Sequence, residues 1–202
     1  MKDIIWSCAE PPKANSGGPS EDNKPSFVEV VDNRIYFYSQ VFMEKILQLN
    51  KNIRDKSINL DREARVQNRE PASIYLHIQS YGGSIFAGLA GMDEVIKSVV
   101  PVITVIDGVC ASAATFLSVC GKKRYINKHA CMMIHQIGNI MWGKYEEFKD
   151  EMENMDKLMG ILKRIYKEYT KIPSNRLDEI LKHDLWFDAN KCVEYGLVDE
   201  II

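Results

Sequence analysis

The 202-residue chain lacks any apolar run approaching the roughly 18–20 residues that cross a bilayer, so no membrane partner is expected. It also lacks an excess of basic charge. Twenty-six Lys and Arg stand against 28 Asp and Glu, a formal net charge of −2, and no global field draws the chain to nucleic acid. There is no C-x-x-C pair and no His/Cys group at zinc-ligand spacing. The five cysteines, at 8, 110, 120, 131 and 192, are odd in number, so reduced thiols in a cytoplasmic protein are expected rather than a disulfide framework or a structural metal. The opening segment, from Met1 to Ala9, is too short in its apolar part for a secretion signal and carries Asp3 where such signals are basic. No G-x-x-x-x-G-K-[ST] loop occurs, so no cofactor is expected and any ATP use would belong to a partner.

What is present describes an ordinary globular protein: 46% hydrophobic and 27% charged residues, in a length that suits one domain. Residues 10–26 (EPPKANSGGPSEDNKPS) have almost nothing to bury, so 1–26 read as a flexible arm and 27–202 as a single folded domain. Phe27–Gln40 reads as one strand and Val41–Leu49 as a helix. The charged stretch Asn50–Ala72 reads as a helix end followed by a long surface loop.

Downstream the pattern sharpens. Ile74–Ile78 is a strand that runs into Gln79-Ser80-Tyr81-Gly82-Gly83-Ser84, with Ser84 placed to cap a helix to about Ser98. Val102–Ile106 is a buried-type strand, Asp107-Gly108-Val109 reads as a turn, and a helix is expected to begin near Cys110–Ser112. Arg124–Asn127 and Cys131–His135 read as short strands. Tyr145–Thr170 repeats its apolar residues at three and four, a helix of about 39 Å at 1.5 Å per residue. Two short helices, Ser174–His183 and Asp188–Tyr195, and a last strand, Leu197–Ile202, complete an α/β alternation.

Three segments could carry chemistry. Ser112 lies among small residues in Gly108-Val109-Cys110-Ala111-Ser112-Ala113-Ala114, where a substrate backbone could come close. His135 ends the apolar run Met132-Met133-Ile134, and Asp184 precedes Leu185-Trp186-Phe187. Each has an ordinary structural reading by itself: a helix start, a core histidine, a loop acid.

Taken together they resemble a known family. Gln79-Ser80-Tyr81-Gly82-Gly83-Ser84, Ala111-Ser112, Met133-Ile134-His135-Gln136 and Glu194-Tyr195-Gly196-Leu197-Val198-Asp199 are similar to the N-S-P-G-G-S, A-A-S-M, M-I-H-Q and E-Y-G-L-V-D stretches of the Clp proteolytic-subunit (ClpP) family. The resemblance runs from about Arg34 to Ile202. Twenty-nine residues separate Gly83 from Ser112 and 49 separate His135 from Asp184, as in the family. The 23 between Ser112 and His135 are two fewer, in a shorter Gly121–Arg124 turn.

The resemblance implies a ClpP/crotonase-like α/β spiral of ββα units with a protruding handle, Tyr145–Thr170. It implies a serine endopeptidase in which Ser112 attacks, His135 is the base, Asp184 orients it, and the backbone N–H groups of Gly83 and Ala113 form the oxyanion hole. Gly82, Ile137, Gly138, Asn139 and Ile140 would lie along the bound peptide. The implied partners are copies of this chain in seven-membered rings, as a heptamer or a tetradecamer, polypeptide substrates, and a Clp-type AAA+ ATPase as unfoldase.

The chain departs from the pattern at Tyr81, where the family has proline, and at His77, in a strand near the family's docking pocket for ATPase loops. It departs again at Lys182-His183-Asp184, which stands for D-R-D. These departures keep two other readings open: a stand-alone processing peptidase on the same fold, of capsid-maturation type, and a non-catalytic subunit of a mixed ring. Cys110, two residues from Ser112, is expected to make the site sensitive to thiol reagents.

Overall fold

A computed structural model describes residues 27–202. The arm expected over 1–26, and Cys8 with it, lie outside the described residues. The strands, β1 (Phe27–Val31), β2 (Arg34–Tyr38), β3 (Ile74–Ser80), β4 (Val102–Ala111), β5 (Lys123–Ile126), β6 (Cys131–Met133), β7 (Trp186–Phe187) and β8 (Glu200–Ile201), form one eight-stranded sheet. The helices are α1 (Met43–Val66), α2 (Ile85–Lys97), α3 (Ala114–Val119), α4 (Tyr145–Tyr169), α5 (Ser174–Leu181) and α6 (Ala189–Glu194). The architecture is mixed α/β, as expected.

Its main path runs β1-β2-β3-β4-β5-β8, parallel except for the β1–β2 hairpin, and a side branch adds β6 parallel to β4 and β7 antiparallel to β6. Alternate residues of the central strands, Ile35, Phe37, Ile74, Leu76 and Ile78, point into a core shared with α1 and α2 and are fully buried. The ten-residue β4 serves two neighbours. Its first half pairs with β5 and its second half, Val109–Ala111, pairs with β6, which carries β7 on its far side. The sheet therefore divides at the carboxyl end of β4, and Ser112 follows at that division.

Three expectations are corrected. Phe27–Gln40 is a hairpin and not one strand, because Asp32 takes a left-handed φ of 53° and turns the chain at Asp32-Asn33. Asn50–Ala72 is no long loop: α1 continues to Val66, carried by Ile46, Leu49, Ile53, Ser57, Leu60 and Ala64, a buried stripe at intervals of three and four. The expected turn at Asp107-Gly108-Val109 is strand. The Asp107 carboxylate accepts hydrogen bonds from Tyr38 and Asn127, so it joins the sheet instead of capping a turn.

The other boundaries lie close to expectation. Ser84 caps α2, its hydroxyl accepting from the Ala87 N–H at 3.3 Å. Gly196, at φ 63°, ends the segment after α6. α4 is one continuous helix whose buried residues, Leu158, Leu162, Ile165 and Tyr166, all fall in its second half. The first half leaves Tyr145, Phe148 and Met152 exposed. Among the described residues no helix is long and apolar enough to cross a membrane.

Candidate active site

Ser112 is held in a conformation that L side chains avoid. Its φ of 55° costs about 1–2 kcal/mol, and neighbouring bonds fix it there. Its N–H donates to the Met133 carbonyl at 2.8 Å, which prolongs the β4–β6 pairing by one residue. Its carbonyl accepts from the Thr115 N–H at 2.9 Å and from the Thr115 hydroxyl at 2.6 Å. Because that hydroxyl proton is committed, the Tyr166 hydroxyl must be the donor in the 2.7 Å bond between Thr115 and Tyr166. α4 thus braces the turn on which Ser112 sits.

The Gly82–Gly83 turn closes over the same place. Gly82 has φ 99°, and a Cβ there would lie 2.7 Å from Ser112 Cβ and 2.8 Å from the Ala111 carbonyl oxygen. Glycine is required, since any side chain would push the two turns apart. Gly83, at φ 147°, faces Val41, whose N–H donates to the Gly82 carbonyl and whose carbonyl accepts from the Ser84 N–H, each at 2.8 Å. Among the described residues these bonds are made by the neighbours and not by the N–H groups of Gly83 and Ala113.

His135 and Asp184 arrive from the other side of the division. β6 and β7 pair antiparallel, Met132 opposite Phe187 and Met133 opposite Trp186. Continuing that ladder by two positions puts His135 across from Asp184. The His135 Nδ1 lies 2.8 Å from Asp184 Oδ1, and its Nε2 lies 3.0 Å from Ser112 Oγ. A carboxylate only accepts, so Nδ1 carries the proton and Nε2 is left to accept from the hydroxyl. Ser112 and His135 are both buried, whereas the Asp184 side chain is 70% exposed. A hydroxyl, an imidazole and a carboxylate in this series can pass a proton from Oγ to Nε2 while the carboxylate balances the charge.

A shallow apolar recess opens beside the hydroxyl. Ser112, His135, Gly83 and Ala113 form its polar edge, and Ile85, Phe116, Ile137, Leu162 and Tyr166 its apolar wall. Of the other residues expected along a peptide, Gly82 is packed under Ser112. Gly138, Asn139 and Ile140 follow His135 as irregular chain outside the recess: Asn139 donates its amide to Glu151 at 2.7 Å, and Ile140 is 88% exposed. Of the wall, sequence reading named only Ile137. Leu162 and Tyr166 were visible only as part of the α4 stripe, and their place against Ser112 depends on how α4 lies.

Cys110 does not behave as expected. It is fully enclosed, and burial pushes its thiol up to about 12, so at neutral pH it offers neither access nor thiolate to a thiol reagent.

The profile of the Clp protease family matches residues 31–202. This chain belongs to the Clp protease family. An ATP-dependent Clp protease proteolytic subunit 1 of Mycobacterium tuberculosis (strain ATCC 25618 / H37Rv) is 32% identical over 170 residues, covering 82% of this chain and 85% of the relative. Its namesake in Mycobacterium leprae (strain TN) is 31% identical over the same length, and that of Chlamydia pneumoniae is 28% identical over 179 residues, 86% of this chain and 89% of the relative. As a divergent Clp protease the chain is a serine peptidase, with the mixed α/β fold of that family.

Proposed function

We propose that this Clp protease is an endopeptidase in which Ser112, His135 and Asp184 carry the reaction. The observation that carries the reading is the unbroken hydrogen-bonded line from Ser112 Oγ through both nitrogens of His135 to Asp184. Ser112 Oγ adds to the scissile carbonyl as His135 Nε2 takes its proton. The resulting oxyanion is held by the N–H groups of Gly83 and Ala113, each worth on the order of 10²–10³ in rate. His135 then gives the proton to the departing amine, leaving Ser112 acylated. Water, deprotonated by His135, cleaves the ester and releases the acid.

The apolar wall of the recess suits a leucine-, methionine- or phenylalanine-sized side chain immediately before the scissile bond. Its burial contributes about 1.5–3 kcal/mol. The chain from Ile137 to Ile140 would lie beside the peptide backbone. Ile140, Trp142, Tyr145, Phe148 and Met152 are all exposed in one chain, and a second copy seated on them would remove that apolar surface from water. The reading includes ring assembly through this handle and, by likeness to relatives named ATP-dependent, an AAA+ unfoldase that feeds the chamber.

A second reading, a stand-alone processing peptidase, is favoured by one observation. On the sheet face formed by β2 and β3, His77 is bound to Arg34 and Asp107, which makes polar a surface that an apolar docking loop would need.

The test is hydrolysis of a fluorogenic peptide with leucine before the cleaved amide by the purified full chain, beside Ser112→Ala, with the particle mass measured by light scattering. Turnover by a seven- or fourteen-subunit particle, lost in the variant, is expected. Turnover by a monomer would favour the second reading. Turnover that survives Ser112→Ala, or none in any assembly state, would overturn the proposal, the latter in favour of a non-catalytic ring subunit.

A further inference from the structure

The Asp184 carboxylate is the least supported part of the candidate site. It is exposed, and the strand beside it, β7, has two residues and pairs only with the three-residue β6. Two edge-to-face aromatic contacts grip that short strand. Phe187, buried, meets Tyr195 with ring centres 5.3 Å apart at 89°. Trp186, exposed, meets Tyr81 at 6.4 Å and 89°. Side chains alternate along a strand, so the two contacts lie on opposite faces of β7, and Asp184 lies just two residues before Trp186. Tyr81 in turn directly precedes Gly82, which packs against Ser112. The Tyr81–Trp186 contact is therefore a link across the cleft, joining the glycine turn to the strand that follows the acid.

Resting on the reading of Asp184 as the orienting acid, we propose that Tyr81 and Trp186 are positioning residues: their ring contact holds Asp184 in line with His135. The ring is what matters, because edge-to-face attraction comes from the aromatic quadrupole and not from the hydroxyl. Without it β7 keeps its Phe187 anchor, so the fold survives while the carboxylate samples positions out of line. The cost falls on the chemical step and not on peptide binding.

The experiment measures kcat and KM for the fluorogenic peptide in the full chain and in Tyr81→Ala, Tyr81→Phe, Asp184→Asn and the double variant Tyr81→Ala/Asp184→Asn, with the melting temperature of each. Tyr81→Ala is expected to lower kcat about three- to tenfold with KM and melting temperature nearly unchanged. Tyr81→Phe restores the native rate, and the double variant is no slower than Asp184→Asn, because the contact acts only through the carboxylate. Independent, multiplicative losses in the double variant would overturn the proposal. So would a rise in KM at constant kcat, which would assign the pair to substrate contact, or a Tyr81→Phe variant as slow as Tyr81→Ala. If Asp184→Asn itself turns over at the native rate, the failure belongs to the catalytic reading of Asp184.

Discussion

Among the described residues stand two histidine–aspartate pairs of nearly the same geometry, and only one is built as a base. At the end of β6, His135 Nδ1 faces Asp184 at 2.8 Å. On the open face of β3, His77 Nδ1 faces Asp107 at 3.0 Å. The difference lies in the third partner. His135 Nε2 meets the Ser112 hydroxyl, which can give up its proton, whereas His77 Nε2 meets the Arg34 guanidinium at 2.9 Å. Arginine donates and does not deprotonate, so it occupies the acceptor lone pair of His77 with a bond that cannot turn into proton transfer.

The two carboxylates differ as well. Asp107 is enclosed, with its side chain 14% exposed, and it accepts from Tyr38 and Asn127 in addition to His77. Asp184 is 70% exposed. Burial, and then the hydrogen bond to Asp107, push the Tyr38 phenol above its ordinary value, so that hydroxyl keeps its proton too. A histidine–aspartate contact is thus common material for fastening strands together. It becomes a candidate base when a strained backbone presents a hydroxyl to the other ring nitrogen.

Substitutions can break this comparison, and their effects should fall in order. Asp184→Asn leaves His135 in place but replaces the carboxylate, which can only accept, by a neutral amide whose N–H can face Nδ1, so the tautomer is no longer fixed and the imidazolium loses its counter-charge. A loss of about 10³–10⁴ in kcat is expected, read from steady-state peptide hydrolysis, with KM little changed. Gly82→Ala forces a Cβ to within 2.7 Å of Ser112 Cβ. A displacement of the hydroxyl on the order of 1 Å should lower kcat/KM about 10²-fold. Asp107→Leu is the control from the other pair. It removes the acceptor of the half-buried Tyr38 hydroxyl and His77 ring, while Asn127 keeps its bond to the backbone carbonyl of residue 107, and should lower unfolding stability by about 1–3 kcal/mol, measured from the urea midpoint. Its kcat/KM should stay native. If Asp107→Leu instead cost as much activity as Asp184→Asn, the distinction between the two pairs would not hold.

Much of this was legible in the sequence, for identifiable reasons. The turn Ser80–Ser84 and the α4 stripe announced themselves because glycine pairs and three–four spacing are local signals. The resemblance of four motifs to the Clp proteolytic-subunit family implied that Gly83, Ser112, His135 and Asp184 share one site before any contact was known. What stayed hidden was non-local. α1 reads as a loop beyond Leu49 because only one side chain in three or four is buried and the remainder are charged. Asp107-Gly108 reads as a turn because nothing nearby shows that Tyr38 and His77, on other strands, will hold the carboxylate. The direct opposition of His135 and Asp184 follows from the β6–β7 register, which a 49-residue separation conceals. The Tyr81–Trp186 contact spans more than a hundred residues, and only the folded chain brings it together.

The central claim is that one hydroxyl of this chain is made nucleophilic by the imidazole beside it. Reaction of the native protein with a fluorophosphonate, followed by intact mass and peptide mapping, tests this most directly. The account predicts a single adduct per chain, on Ser112, that fails to form in His135→Ala. An adduct on another residue, or undiminished labelling of Ser112 in His135→Ala, would contradict it.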